Sequence, residues 1–432
     1  MALVNCLRPS AVPSTRHNHI LLLTSLLLWH LVATANALHH MRRAPLAYVL
    51  RRDDKVPLVV KNLCLDTVYP GIVTQSGTAP SVGGFELQTG ASRNLTVGAD
   101  WQGRVWGRTN CSFNSDGTGP SNHGGNNGGG RACGTGDCGG IVNCKATGET
   151  PVSLAEFTLA TSSGQTFYDI SLVDGYNIPI AIVSLYPESG NASLTDIPPN
   201  LTNPICIGTA ALLESEGSSS DATGQTAGTN SSFPIPLEQS VSASDVQSWC
   251  PWDLQLDPPS KPGDGVYPYP DDNIQRPAFN PCYSACAKYS HPSDCCTGSY
   301  DSPGACKPSS YSKMAKKVCP DAYSYGTCAL FIFPHNPVDF EVAFDDQTST
   351  FIIPSGGGFE VTFCPTGRSS NILKVYGQQL DQLAQTGHVS SDVLADTQNV
   401  TLQIIRGGGT TTRDNSRMLV ISSIALIFSL WA

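Results

Sequence analysis

Charged side chains are scarce in this chain, since Asp, Glu, Lys and Arg make up only 14% of its 432 residues. The acids outnumber the bases, and the formal net charge is −10 at pH 7. The one short group of lysines runs from Lys313 to Lys317. Because such a chain offers no basic patch, we expect no nucleic acid and no anionic membrane surface as a partner, whereas neutral or cationic partners remain.

Cysteine pairs of the zinc-binding kind are also missing. The chain has 16 cysteines, but no Cys-x2-Cys doublet is matched by a second doublet or by two histidines, as a zinc site requires. We therefore expect no metal and no cofactor, and we interpret the cysteines as disulfides of an oxidising compartment. Together with 41 glycines and 31 prolines, they are typical of a loop-rich, mainly β extracellular protein.

No apolar run near the N-terminus is long enough to cross a bilayer. The run from Ile20 to Val32 falls short of the roughly 20 residues needed to span one. It follows a basic segment and precedes a small-x-small site at Ala35-Asn36-Ala37. This pattern predicts a signal peptide over 1–37, and the dibasic pairs at 42–43 and 51–52 indicate a propeptide over 38–52.

The C-terminal residues have the pattern of a lipid-anchor signal. Three glycines at 407–409 are followed by a polar spacer and by an apolar tail from Met418 to Ala432. Small residues, a polar spacer and an apolar tail are typical of glycosylphosphatidylinositol (GPI) attachment, here over 407–432. The alternative is a short transmembrane anchor, and either would tether the protein to the cell surface. The secretory route also fits six Asn-x-Ser/Thr sequons, at Asn94, Asn110, Asn191, Asn200, Asn230 and Asn399.

Four interior segments lack the sequence pattern of a folded core. Residues 187–248 are rich in Ser, Thr, Asn and Gly and hold three sequons, which predicts a disordered, glycosylated insert. Residues 251–280 form a Pro-rich insert, and residues 368–406 are expected to form a stalk with some strand or helix of its own. The glycine-rich stretch at 117–130 lacks the Gly-Lys-Ser/Thr ending of a phosphate loop, so we interpret it as a surface loop.

Three carboxylates stand among residues that favour burial. Apolar and polar residues alternate in Leu154–Leu159 and again from Phe167 onward, which predicts two strands joined by a turn near Ser162–Gln165. Glu156 and Asp169 would then share one sheet face, with Asp174 close by, and would form an acidic cleft. Two carboxylates that flank a glycosidic bond can hydrolyse it, so Glu156 and Asp169 are the candidate catalytic residues. Carboxylates also bind sugar hydroxyls or hold turns together, and these alternatives remain open.

The cysteine run upstream of these strands carries a family resemblance. It reads Cys133-Gly134-Thr135-Gly136-Asp137-Cys138-Gly139, with Cys144 following, and it resembles the thaumatin-like family apart from Arg131, where the family has Gly or Phe. The resemblance implies a mainly β fold: a β-sandwich with a disulfide-rich subdomain and long disordered inserts, over residues 53–367.

The resemblance also implies a disulfide pairing. Cys206 would pair with Cys319, and the leftover Cys328 would either stay free or displace Cys319 as the partner of Cys206. Cys6 leaves with the signal peptide, and the later cysteine of the family's eighth bridge is replaced by Ile353. The other implied pairs are Cys64 with Cys364, Cys111 with Cys133, Cys138 with Cys144, Cys250 with Cys282, Cys286 with Cys295, and Cys296 with Cys306.

The resemblance further implies a cleft with a β-1,3-glucan ligand and weak endo-β-1,3-glucanase activity in some members. At the family's arginine position we expect Glu149, which would leave the cleft without a cation. The alternatives are a non-catalytic structural or interaction protein of the cell wall and an antifungal defence protein. We expect a monomer. The expected cleft residues are Glu149, Glu156, Asp169, Asp174 and Asp321, flanked by the aromatic residues Phe167, Tyr168 and Tyr176.

Overall fold

The computed structural model describes residues 55–120, 130–159, 164–185, 194, 197, 201–212, 243–257, 281–302, 304–326, 345, 348–365 and 367–388. All of them belong to one compact unit, residues 53–432. The predicted signal peptide, propeptide and GPI signal lie outside the described residues. So do most of the two predicted inserts, Ser162 and Ser163 of the predicted turn, and Cys6 and Cys328.

The described residues form eleven strands in two sheets. They are β1 (Lys55–Asn62), β2 (Tyr69–Ser76), β3 (Ser92–Gly98), β4 (Gln102–Cys111), β5 (Cys133–Thr135), β6 (Leu154–Thr158), β7 (Gln165–Ser171), β8 (Ile180–Leu185), β9 (Ile205–Cys206), β10 (Phe351–Pro354) and β11 (Gly358–Phe363). The first sheet has the order β3-β1-β11-β8-β9, and the second has the order β10-β7-β6-β4-β2 with β5 paired to β4. Strands β1 and β11 run parallel, and the remaining neighbours run antiparallel.

The core lies between the inner faces of the two sheets. Alternate residues of each strand point inward, and the strands supply β-branched and aromatic side chains at those positions. From the first sheet, Leu58, Val361 and Phe359 are buried, and from the second, Phe157 and Tyr168 are buried. The ring of Phe359 contacts those of Phe157 and Tyr168 across the core, with centroids 5.1 and 5.0 Å apart. The prediction of a mainly β sandwich is confirmed.

Short helices follow in the second half of the chain. They are α1 (Ala243–Ser248), α2 (Ala285–Tyr289), α3 (Pro292–Cys295), α4 (Ser310–Val318) and α5 (Ile372–Thr386), together with 3-10 turns at Ala210–Leu212, Trp252–Leu254 and Gly298–Tyr300. The side chains of Ser284 and Ser309 cap α2 and α4 by accepting hydrogen bonds from backbone N–H groups of the first turn. Helices α2 to α4 and their bridges form the predicted disulfide-rich subdomain.

Seven disulfides join the described cysteines, and all seven implied pairs are confirmed. Cys206 pairs with Cys319, which decides between the two partners considered for it. The bridge from Cys64 to Cys364 joins residues 300 positions apart in the chain. It fastens the end of β1 to the adjacent end of β11, so the first and last strands of the sandwich are covalently held together.

Two expected boundaries are wrong. Residues 201–212 lie inside the range expected to be a disordered insert, yet they contain β9, and Ile205 and Ile207 are buried. Residues 368–388 were expected to begin a stalk, yet α5 packs along β10, and its Leu380 and Leu383 belong to the main core. The amide of Gln165 donates to the carbonyl of Ala384 at 2.7 Å. Apolar side chains on one helix face are the physical reason for this packing.

Among the described residues, no helix is both long and apolar enough to cross a membrane.

Candidate functional site

One row of charged side chains crosses the outer face of the second sheet. In the strand register Arg104 on β4 lies opposite Glu156 on β6, and Glu156 lies opposite Asp169 on β7. Partners on neighbouring strands point to the same face, so these three residues, here called the acidic row, lie side by side. Their chain neighbours Val105, Ala155 and Ile170 point the other way into the core. The predicted pairing of Glu156 with Asp169 on one face is confirmed.

The row contains a cation that we did not expect. Nη2 of Arg104 lies 3.1 Å from Oε1 of Glu156, and the two side chains are only 20% and 28% exposed. The expectation that Glu149 takes the arginine position and leaves the cleft without a cation is therefore wrong. Glu149 pairs instead with Arg131, at 3.3 Å, in an exposed contact. The sequence does contain a signal for Arg104. In the predicted strand from Trp101 to Cys111 it alternates with the apolar Val105, which places its side chain on the outer face.

Asp174 lies between the acidic row and the subdomain. It follows β7 in a tight turn, where the N–H of Gly175 donates to the carbonyl of Leu172 at 3.0 Å. The hydroxyl of Tyr311, on α4, donates to that same carbonyl at 2.8 Å. Burial raises the pKa of Asp174, the charge of Glu156 raises it further, and Arg104 opposes the rise. Asp174 thus holds its proton to a higher pH than an ordinary aspartate, which suits a hydrogen-bond donor or a general acid.

Asp321 is not brought to the open surface. Its side chain is buried, with the residue 1% exposed. Its two carboxylate oxygens accept hydrogen bonds from the N–H groups of Ile372 and Leu373, at 2.8 and 2.9 Å. These are the first N–H groups of α5, which need partners from outside the helix, and the helix dipole favours a negative charge there. Asp321 therefore anchors the C-terminal helix, and its expected place in the cleft is wrong for this structure.

The three aromatic residues expected to flank the cleft are buried as well. Tyr168 stacks on Phe351 in the core and donates its hydroxyl to the carbonyl of Thr202 at 2.6 Å. The Tyr176 hydroxyl is hydrogen-bonded to that of Thr209 at 2.7 Å. Phe167 is 4% exposed. These three residues therefore form no open aromatic platform beside the acidic row.

The glycine-rich cysteine run supports the other end of the sheet face. The Asp137 carboxylate accepts hydrogen bonds from the N–H groups of Ala132, Cys133 and Gly140, at 3.0, 3.1 and 2.7 Å. Gly139 and Gly140 both adopt positive φ, of 82° and 70°, which the tight turn beside the Cys138–Cys144 bridge requires. The cysteine run that carries the resemblance therefore has a structural role, because its Asp137 and glycines fix the conformation of this loop.

Arg108 ties this loop to the sheet. Its buried guanidinium donates to four backbone carbonyls, those of Tyr69 and Pro70 on β2 and of Ile141 and Val142 in the loop, at 2.6 to 3.1 Å. Burial lowers the pKa of Arg108 to about 10, partly opposed by the charge of Asp137, so the side chain stays charged at neutral pH. Replacing this arginine would remove a charged donor from four buried or partly buried carbonyls.

These features define a class of protein: a two-sheet β-sandwich bound by disulfides, with carboxylates on an outer sheet face beside a small disulfide-rich subdomain. The model of the Thaumatin family matches residues 62–365. The chain belongs to the thaumatin family.

Similar proteins come from several plants. The chain is 34% identical over 307 residues to Thaumatin-like protein 1 of Pyrus pyrifolia, a match covering 70% of this chain and 88% of that protein. It is 36% identical to Pathogenesis-related thaumatin-like protein 3.5 of Cryptomeria japonica, covering 71% and 88%. It is 33% identical to Pathogenesis-related protein 5 of Arabidopsis thaliana, covering 71% and 89%. The relatives are thus thaumatin-like and pathogenesis-related proteins by name.

Proposed function

We propose that this chain is an extracellular, cell-surface protein that binds β-1,3-glucan through the acidic row and Asp174. The observation that carries the proposal is the row itself, with Arg104, Glu156 and Asp169 side by side on an outer sheet face. Carboxylates accept hydrogen bonds from sugar hydroxyls, and the guanidinium donates to sugar oxygens. A neutral polymer suits a chain of net charge −10, because it meets no charge repulsion. The choice of β-1,3-glucan rests on the family resemblance.

Binding to insoluble β-1,3-glucan tests this function. The wild-type protein should sediment with the polymer, and Glu156→Gln should reduce the bound fraction, because the substitution keeps the shape of the side chain but removes the charge that pairs with Arg104. Glu360→Gln is the matched control. Glu360 is half-buried on β11 in the other sheet, where its Oε1 accepts a hydrogen bond from Thr362 at 2.9 Å. Failure of the wild type to bind would favour the structural role in the wall instead.

A second candidate function is weak endo-β-1,3-glucanase activity. It is favoured by the environment of Asp174, because a carboxylic acid with a raised pKa beside an ion-paired carboxylate resembles the division of roles in glycosidases. In this arrangement Asp174 would protonate the leaving oxygen, and Glu156 or Asp169 would act as base or nucleophile.

The release of reducing ends from soluble laminarin tests turnover. We expect slow hydrolysis that Asp174→Asn abolishes while binding to the insoluble polymer is kept. If the wild-type protein binds the polymer but releases no reducing ends, its function is binding without hydrolysis. Turnover that survives in Asp174→Asn would show that the proton comes from another group.

The proposal includes a lipid anchor and glycosylation. Residues 407–432 lie outside the described residues, and their pattern is the support for a GPI anchor. Phosphatidylinositol-specific phospholipase should release the protein from intact cells, whereas a product that still holds Met418 to Ala432 would contradict the anchor. Two sequon residues, Asn94 and Asn110, are exposed in the structure, so treatment with an N-glycosidase should lower the mass of the released protein.

A further inference from the structure

A groove of about 300 Å³ opens at the edge strand β2, beside the acidic row. Its floor is residues 72–74 of β2. One wall is formed by residues 79–83 and the other by residues 143–145. None of these residues is among the candidate site residues described above, so the groove is additional to the acidic row.

The groove continues the line of the row by one strand. Val73 in its floor is the register partner of Arg104, so the two side chains point to the same outer face of the sheet. Neighbouring strands lie about 4.8 Å apart, so the line from Asp169 on β7 through β6 and β4 to Val73 on β2 covers roughly 14 Å. A linear ligand lying across the strands on the acidic row would meet the groove next.

The groove is held open by bonds within the protein. Oδ1 of Asn143 accepts a hydrogen bond from the N–H of Gly83 at 2.5 Å, which links the two walls. Cys144 is bridged to Cys138, and Arg108 donates both to Pro70 of the floor strand and to Val142 next to the wall. A preformed site loses little free energy to ordering when a ligand binds.

The chemistry of the groove suits a sugar. Within the described residues Nδ2 of Asn143 makes no hydrogen bond, and Lys145 has no ion pair, so both present donors at an exposed surface. The exposed Ser81 adds a hydroxyl, and the half-buried Pro80 and Val82 add apolar surface. A neutral pyranose ring needs hydrogen-bond donors for its hydroxyl oxygens and apolar atoms against its C–H face, and the groove offers both.

We propose that this groove is an extension subsite, which holds sugar units of the same glycan chain beyond those on the acidic row. The inference rests on the proposed function and deepens it. The occupant is the continuing end of a linear β-1,3-glucan, since the strand register makes the groove continuous with the row. The protein would accordingly select longer chains over short oligosaccharides.

A chain-length series tests the subsite in the full secreted protein. Dissociation constants would be measured by calorimetry for β-1,3-linked oligosaccharides from laminaribiose to laminariheptaose. Wild-type affinity should rise with length. Asn143→Ala and Lys145→Ala should each lose roughly three- to tenfold for the longest ligand, as expected for one lost hydrogen bond, and nothing for the shortest that binds. Lys55→Ala, at an exposed lysine of β1 in the other sheet, should match the wild type.

The outcomes separate the two proposals. If the wild type binds no oligosaccharide of any length, the proposed function fails and the subsite fails with it. If the wild type binds but its affinity does not change with length, only the subsite is overturned. Equal weakening for short and long ligands would also overturn it, because the variants would then act on the acidic row. Within the described residues Lys145→Ala breaks no side-chain hydrogen bond or ion pair, so it remains informative if Asn143→Ala loosens the wall.

Discussion

Arg104 and Glu156 lie opposite each other on β4 and β6, and their side-chain atoms Nη2 and Oε1 are 3.1 Å apart. Glu156 in turn lies opposite Asp169 on β7, and the charges of Glu156 and Arg104 act in opposite directions on the pKa of Asp174. Arg104 therefore limits the repulsion among three carboxylates on one sheet face.

Removing the guanidinium should destabilise the domain in a pH-dependent way. We expect Arg104→Met to lower the free energy of unfolding at pH 7 by about 1 kcal/mol, the upper end for a partly exposed pair. The loss should shrink toward pH 3, because Asp174, whose pKa is raised by burial and by the charge of Glu156, loses its charge as the pH falls and no longer adds to the repulsion. Urea denaturation of both proteins at the two pH values measures the difference.

The matched control breaks the exposed pair of Arg131 with Glu149, whose side chains are 43% and 55% exposed. Arg131→Met should change the stability by no more than a few tenths of a kcal/mol, because solvent screens such a pair. If both variants lose the same stability, the pair of Arg104 with Glu156 contributes no more than an ordinary exposed ion pair.

The raised pKa of Asp174 gives a stability prediction with a definite sign. A carboxyl whose pKa is higher in the folded state stabilises the fold below its unfolded pKa, and this contribution is lost as the pH rises through the folded pKa. Asp174→Asn cannot ionise, so it should be more stable than the wild type at neutral pH and lose that advantage in acid. Unfolding free energies measured from pH 3 to pH 7 test this.

Asp116 provides a control of opposite sign. Its carboxylate accepts hydrogen bonds from the N–H and hydroxyl of Thr118, which lower its pKa. Asp116→Asn should therefore lose stability relative to the wild type at neutral pH, and the difference should fade as the pH falls. If both variants shift in the same direction, electrostatics is not the cause.

The sequence predicted the pairing of Glu156 with Asp169 because both strands and their connecting turn are local. Alternation with a period of two sets the face of each side chain, and a short connection sets the register. The seven disulfides followed from the resemblance. Arg104 was missed because its contact with Glu156 joins strands that are about 50 positions apart, and no local pattern specifies that register.

Asp321 illustrates a different limit. Its motif matches the resemblance, and the sequence around it gives no sign that it is buried. What buries it is α5, a segment past the end of the family match at residue 365. The same helix was expected to be part of a stalk, although Leu380 and Leu383, three positions apart, lie on one helix face. Asp321 matches the family motif, but in this chain its carboxylate binds the N-terminus of α5.

Arg108 should matter more for stability than any exposed arginine. We expect Arg108→Met to lower the free energy of unfolding by about 3 kcal/mol, because the bond to Pro70 is buried, the other three are partly buried, and all four carbonyls lose a charged donor. Arg93, whose guanidinium lies over the Phe85 ring at 4.4 Å, is the control, and Arg93→Met should cost about 1 kcal/mol at most. Thermal and urea unfolding measure both, and equal losses would contradict the assigned role of Arg108.

Helix α5 should behave as part of the domain, since its N-terminus is fixed by Asp321 and its apolar face lies in the core. Leu383 is fully buried, so Leu383→Ala should lower the free energy of unfolding by about 2–4 kcal/mol through lost burial and the cavity it leaves. Val375, in the same helix, is 52% exposed, and Val375→Ala should change it by less than about 0.5 kcal/mol. Urea denaturation followed by tryptophan fluorescence measures both. A single cooperative transition that Leu383→Ala leaves unmoved would show that α5 contributes nothing to the fold, because a helix that merely extends from the domain can lose a leucine without effect.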